Sequence, residues 1–174
     1  AVIKNLNITG HFVLANAKGN YQNSYAGALA GKCKNTRIDN VHASCNIFNH
    51  ALNGDAYAGG LVGHMVDYST AINSSSSGDI YNTCGEGDYS VAGGLFGCAV
   101  FDSSRTILAE KCFATGDVYA SGKRAKDIVI HAGGLVGSTG LCKINNCYAT
   151  GNVSAYHTDS GSGSCKQGPA AGGL

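Results

Sequence analysis

Four stretches of the chain are near-copies of one another: YAGALAG at 25–31, YAGGLVG at 57–63, VAGGLFG at 91–97 and HAGGLVG at 131–137, with a shortened AAGGL at 170–174. Their middle glycines, Gly27, Gly59, Gly93, Gly133 and Gly172, stand 32, 34, 40 and 39 residues apart. Recurrence at such a period marks a repeat architecture, in which each unit buries its apolar face against the next. Glycine weakens strands and breaks helices, so its repeated use here needs a cause.

A second theme recurs between the glycine motifs, as IKNLNITGHFV (3–13), IDNVHASCNIF (38–48), AINSSSSGDIY (71–81), AEKCFATGDVY (109–119) and INNCYATGNVS (144–154). Aligned on Gly10, Cys45, Gly78, Gly116 and Gly151, the copies are 35, 33, 38 and 35 residues apart. Two places on stand Phe12, Ile47, Ile80, Val118 and Val153, all apolar. Four places before stand Leu6, Val41, Ser74, Cys112 and Cys147, mostly apolar. Immediately before comes a hydroxyl each time: Thr9, Ser44, Ser77, Thr115 and Thr150.

The apolar offsets share one parity, the period of a strand with one buried face, and no 3.6-residue pattern is sustained. Each repeat therefore offers two main strands. Parallel strands ~4.8 Å apart place like residues in columns. The prediction is an all-β parallel β-solenoid, or β-helix, of about five repeats forming one domain over 1–174. Asn5, Asn40, Asn73 and Asn146 form an expected Asn ladder, where a turn can take left-handed backbone; Lys111 is its exception. The hydroxyl column reads as side chains satisfying one another beside a turn.

In the glycine motif both parities are small or apolar. Gly59, Leu61 and Gly63 lie on one, Ala58, Gly60 and Val62 on the other. The later copies repeat the pattern with Gly93, Gly94, Leu95 and Gly97, then Gly133, Gly134, Leu135 and Gly137, and finally Gly172 and Gly173. A ribbon buried between layers is expected, with glycine admitting a close backbone and leucine supplying bulk. The alternative is a flat exposed face that packs on another molecule.

Composition narrows the function classes. Charged residues make up 13% and the net charge is +1, so no basic face for nucleic acid is expected. The basic run GKRAK at 122–126 reads as a solvated loop. No apolar run approaches the ~20 residues of a membrane helix, so no membrane insertion is expected.

Cys33, Cys45, Cys84, Cys98, Cys112, Cys142, Cys147 and Cys165 contain no Cys-x-x-Cys pair and no zinc-finger spacing. Their even number predicts disulfides and an oxidising, extracellular compartment. Cys112 and Cys147 share a column, and Cys33–Cys45 and Cys98–Cys112 are alternatives within one coil.

Candidate chemistry is sparse. Asp79 and Asp117 occupy one column, in company with His11, Asn46 and Asn152. Stacked carboxylates would stand ~5 Å apart, as in a retaining glycosidase; a polar turn ladder is the preferred reading. Asp79, Glu86 and Asp88 would be the oxygens of a calcium site, again the lesser reading. The six histidines share no metal-ligand spacing, so neither metal nor cofactor is expected. A glycan or a host surface could meet the chain along loop aromatics such as Tyr119, Tyr148 and Tyr156.

The recurring GLVG (60–63), GLFG (94–97) and GLVG (134–137), with the companion NCYATGNVS at 146–154, resemble the GLUG repeat. The resemblance runs along essentially the whole chain. Copy one departs from it with GALAG, and the third companion has Ser74 in place of cysteine. GLUG repeats occur in bacterial surface and secreted proteins, including non-catalytic regions of immunoglobulin-A-cleaving metallopeptidases. The resemblance implies a surface-exposed structural or adhesive segment of a stalk, filament or adhesin. It implies no catalytic residue, because the motif contains none. A non-catalytic region of a large secreted enzyme and a polysaccharide-active β-helix are the alternatives. The chain opens in one strand motif (Val2, Ile3, Leu6, Ile8) and closes in the other (Gly173, Leu174). Coils at both ends are therefore expected to meet flanking repeats or a second copy, head to tail.

Overall fold

The computed structural model describes residues 1–100, 106–123, 128–158 and 168–174. Cys165 and residues 124–126 of the basic run lie outside them. All secondary structure among the described residues is β, and every strand pairing is parallel. The chain winds about four turns of a solenoid and begins a fifth, each turn passing through four sheets in order.

Sheet 1 stacks Val2–Ile8, Arg37–Ala43, Thr70–Ile72 with Ser75–Ser76, Ile107–Glu110 with Phe113–Ala114, and Cys142–Asn145 with Tyr148–Ala149. Sheet 2 stacks Phe12–Asn20, Asn46–Asn53, Ile80–Cys84, Val118–Gly122 and Val153–His157. Sheet 3 holds Ser24–Ala26, Ala56–Gly59, Tyr89–Gly93, Val129–Gly133 and Ala170–Gly172. Sheet 4 holds Ala30–Lys34, Val62–Val66, Phe96–Val100 and Val136–Thr139. Each of the two sequence motifs turns a corner at its centre, so two motifs yield four strands per turn.

Within sheet 1 the expected Asn ladder is present. Asn5, Asn40, Asn73, Lys111 and Asn146 all take left-handed backbone, with φ of 55, 54, 50, 52 and 52°, and the Asn40 amide donates to Asn5 Oδ1 at 2.9 Å. The residue interrupts the strand's alternation, so inward positions fall on both sides of it. The N–H groups freed there are taken by side chains of the next turn: Val41 N–H donates to Ser74 Oγ at 3.1 Å, and Cys112 N–H to Cys147 Sγ at 3.3 Å.

Two apolar cores fill the coil. Sheets 1 and 4 enclose Ile38, Val41, Leu61, Met65, Leu95, Phe96, Ile107 and Leu135, all fully buried. Sheets 2 and 3 enclose Ile47, Ile80, Val118 and a column of alanines, Ala26, Ala58, Ala92 and Ala132. The alanines let sheet 3 lie close on sheet 2.

No described glycine has positive φ, so the glycine motif is built for space and not for turn geometry. A Cβ on Gly59 would meet Gly97 N at 2.5 Å and Phe96 Cα at 2.8 Å. One on Gly63 would meet Ala26 O and Gly31 O, both at 2.7 Å. Sheets 3 and 4 therefore touch backbone to backbone. Between them the chain turns at Gly60-Leu61, Gly94-Leu95 and Gly134-Leu135. That corner presses on the end of sheet 1, where a Cβ on Gly94 would stand 2.6 Å from Ala114 Cβ and one on Gly134 2.9 Å from Ala149 Cβ. The motif is thus a ribbon between layers, sheet 3 carrying alanine toward sheet 2 and glycine toward sheet 4.

The first turn departs from the sequence alignment. Val13, not Phe12, pairs with Ile47, because the corner after Gly10 holds one extra residue. Phe12 is exposed and pairs with Asn46, and His11 is no member of the Asp79 column.

Candidate functional site

Most side-chain chemistry of the chain gathers at two corners. At the corner between sheets 1 and 2, Asn46 Oδ1 accepts the Asp79 N–H at 2.9 Å. Asp79 Oδ1 accepts the Asp117 N–H at 2.9 Å, and Asp117 Oδ1 accepts the Asn152 N–H at 2.8 Å. Each acidic or amide side chain thus closes a backbone donor of the turn above. The sequence at this corner, hydroxyl-Gly-Asx, suits it: a Cβ on Gly116 or Gly151 would run into the backbone of the preceding turn. A second ladder stands between sheets 2 and 3. Asp55 N–H donates to Asn23 Oδ1 at 2.9 Å, and Asp88 and Tyr89 N–H both donate to Asp55 Oδ1 at 3.1 Å.

These bonds set the chemistry of the carboxylates. The Asn152 N–H, helped by its side-chain amide, holds Asp117 below the usual carboxylate range. Asp79 and Asp117 are both rungs committed to backbone donors, which is the polar turn ladder. Asp79 stands at one corner, while Glu86 and Asp88 line a 190 Å³ depression at the other with Asp55 and Tyr21. The three residues of the lesser, calcium-site reading are not brought together. Among the described residues no three His, Cys, Asp or Glu side chains are grouped to hold a metal ion.

Aromatic residues form columns along the axis. Phe48, Tyr81 and Tyr119 stack on the outer face of sheet 2, centroids 4.9 Å apart and rings within 6° of parallel. Phe113 and Tyr148 stack at 5.1 Å on sheet 1. Tyr119, Tyr148 and Tyr156 lie in strands and not in loops. Stacked along the axis, the rings cover one another's faces and turn their edges outward. Tyr25, Tyr57 and His64 form a third cluster where sheets 3 and 4 diverge, with ring centroids 5.3–5.7 Å apart and Lys32 Nζ 5.5 Å from the Tyr25 ring.

The expected disulfides are not formed among the described residues: Cys33, Cys45, Cys84, Cys98, Cys112, Cys142 and Cys147 are free thiols. Cys33 and Cys98 lie on sheet 4, Cys45 at the corner between sheets 1 and 2 and Cys112 on sheet 1, and none is bonded to another thiol. Cys112 and Cys147 do stack, but their thiols donate to carbonyls, Glu110 O at 3.3 Å and Asn145 O at 3.1 Å. Burial pushes Cys98 and Cys112 up to about 12, and Cys33, Cys84 and Cys142 up to about 11. They behave as small core hydrophobes.

The hydroxyl column is at the first corner, all five members exposed, so these side chains face water instead of satisfying one another. One network escaped the sequence reading. Asn49 and Asn82 lie inside the core between sheets 2 and 3, 3% and 1% exposed. Asn49 donates to Asn82 Oδ1 at 2.8 Å and accepts from Ser24 Oγ at 2.6 Å; Asn82 donates to Ser90 Oγ at 3.1 Å and Ala56 O at 3.0 Å. The signal was their position two residues after Ile47 and Ile80, on the inward parity.

Comparison with known proteins gives two matches. The family described as the GLUG motif matches residues 129–154, which run from the sheet 3 strand Val129–Gly133 through sheets 4 and 1 into the sheet 2 strand Val153–His157. Halomucin of Haloquadratum walsbyi (strain DSM 16790 / HBSQ001) is 37% identical over 122 residues, 67% of this chain. The chain spans about 1% of the length of that relative. No solved structure matches. With the motif matched in one turn and the same strand–corner–strand units stacked in register through the others, the chain is a GLUG-repeat protein.

Proposed function

We propose that the chain is an extracellular structural segment, a stiff run of stacked coils within a cell-surface or secreted protein. The observation that carries this reading is the commitment of polar groups to the neighbouring turn. The corner carboxylates and amides, the strand N–H groups and the buried Asn49–Asn82 pair all bond along the axis. Such a solenoid is tied turn to turn and presents a regular side. The name of the matching relative, halomucin, is in keeping with this reading, as is a non-catalytic role.

Every step between turns uses the same contacts. A further coil, from flanking repeats of a longer chain or from a second copy, could therefore be added in the same register. Val2, Ile3, Leu6 and Ile8 would provide one joining edge, Gly173 and Leu174 the other. An antibody to this chain should label intact cells of the source organism or their medium; label found only after lysis would refute the extracellular reading. Electron microscopy should show rods that lengthen with concentration if copies join head to tail, and short single particles if they do not. A non-catalytic region of a larger secreted enzyme is the second reading. An adhesive role would show as binding on a glycan array.

A further inference from the structure

Three tyrosines follow an aspartate by two residues: Asp55-Ala-Tyr57, Asp79-Ile-Tyr81 and Asp117-Val-Tyr119. In a strand such residues share a face. Tyr57 and Tyr119 each donate to Oδ2 of their aspartate at 3.2 Å, and Tyr81 holds the same place beside Asp79, one turn before Tyr119. Oδ1 of each of these aspartates is already held by the turn above. The ladder therefore fixes the carboxylate and leaves its second oxygen for the phenol.

Tyr81 and Tyr119 are paired in register on consecutive turns, rings 4.9 Å apart and 6° from parallel. They lie on the outer face of sheet 2, Tyr81 36% exposed. We propose that Tyr81 and Tyr119 are an oxidative cross-linking site, coupled to dityrosine by a peroxidase-class one-electron oxidant that uses hydrogen peroxide. The oxidant takes one electron from each phenol while the phenolic protons pass to Asp79 and Asp117. The two phenoxyl radicals join through carbons ortho to oxygen, forming one C–C bond. Each ortho hydrogen then moves to its own oxygen as the rings regain aromaticity. Two electrons and two protons leave, and with them hydrogen peroxide becomes two waters. The χ2 torsions of tyrosine are broad, so the outward rings can tilt from stacking distance to bonding. The product is a staple between the third and fourth turns that thiol reductants cannot open, in a solenoid whose described thiols are unpaired.

An internal comparison exists. Tyr25 and Tyr57 stack similarly, at 5.3 Å and 8°. The Tyr25 hydroxyl, however, accepts from the Asn23 amide at 3.2 Å and has no carboxylate bonded to it, and both rings pack beside His64. That pair should couple more slowly.

The test treats the full chain with hydrogen peroxide and a haem peroxidase, followed by dityrosine fluorescence and peptide mass. A Tyr81–Tyr119 peptide lighter by two hydrogens should be the main intramolecular product, absent from Tyr81→Phe. Asparagine occupies the same ladder position as Asn46 and Asn152, so the Asp79→Asn, Asp117→Asn double variant keeps the rungs and loses the base. Since a positioned base contributes roughly 10²–10⁴-fold, coupling should slow at least about tenfold while the chain still unfolds cooperatively in urea. Links made chiefly through Tyr25–Tyr57 or the 91% exposed Tyr21, or a double variant that couples at the parent rate, would overturn the proposal.

Discussion

Replacing Gly97 by alanine tests why the glycine motif exists. Gly97 lies on sheet 4 with its missing side chain directed at sheet 3. An added Cβ would stand 2.5 Å from Gly63 O, 2.6 Å from Ala58 O and 2.8 Å from Ala58 C. All three are backbone atoms of strands locked in ladders, so no flexible side chain can move aside. Carbon atoms sit comfortably at ~3.5–4.0 Å, so the two sheets must part by about an ångström. Overpacking costs roughly 1–3 kcal/mol and occasionally more, and contact with the rigid backbone of two strands places this variant near ~3 kcal/mol. With a urea dependence of roughly 1–3 kcal/mol per molar, the unfolding midpoint should fall by about 1–3 M. Gly10→Ala is the control: its Cβ would meet nothing nearer than Cys45 Cβ at 3.9 Å. That variant should match the parent within about 0.5 kcal/mol, or gain slightly from a stiffer unfolded chain. Equal midpoints for Gly97→Ala and the parent would refute the close-approach argument.

Three further outcomes are expected. Asn82→Ala, a residue the same column tolerates at Ala120, should cost about 2–3 kcal/mol in urea unfolding, because Asn49 and Ser90 lose a buried partner; a neutral result would mean the network contributes nothing. Ellman's reagent at neutral pH should react slowly with the folded chain and quickly in urea, since burial holds Cys98 and Cys112 up to about 12; immediate reaction of all thiols, or none in urea, would contradict the buried-thiol picture. Asp117 is held low by the Asn152 N–H, so its contribution is present above the unfolded value of ~3.9 and is lost as pH falls through the lower folded value. Urea midpoints should hold from neutral to about pH 4 and decline below it, less so in Asp117→Asn; a decline beginning near pH 6 would point to other groups.

Much of this was legible because a solenoid writes its columns into the sequence. The parity of Val41, Ala43 and Ile47 gave the inward face, and the spacing of the glycine motifs gave the turn. Asn5, Asn40, Asn73 and Asn146 announced the left-handed position, even to Lys111 standing in for asparagine. Other features were hidden because a single extra residue changes register without changing pattern: Phe12 looks like a core residue, yet the corner after Gly10 turns it outward. Cysteine number suggested bridges, but apolar burial suits a thiol equally well and composition cannot separate the two. The doubling of strands per turn was hidden because a corner at Gly60-Leu61 leaves the apolar run unbroken. Asp79 and Asp117 showed their column but not their partners, which are backbone N–H groups that every residue carries.

The central claim is a parallel, in-register stack in which each turn repeats the one below. Nuclear Overhauser contacts on isotope-labelled chain test it directly. The account predicts contacts linking Ile47, Ile80, Val118 and Val153 in one column and Tyr57, Val91 and His131 in another, with the staggered amide–Hα pattern of parallel strands. Close Hα–Hα contacts between neighbouring strands, the mark of antiparallel pairing, or columns displaced by one residue, would contradict it.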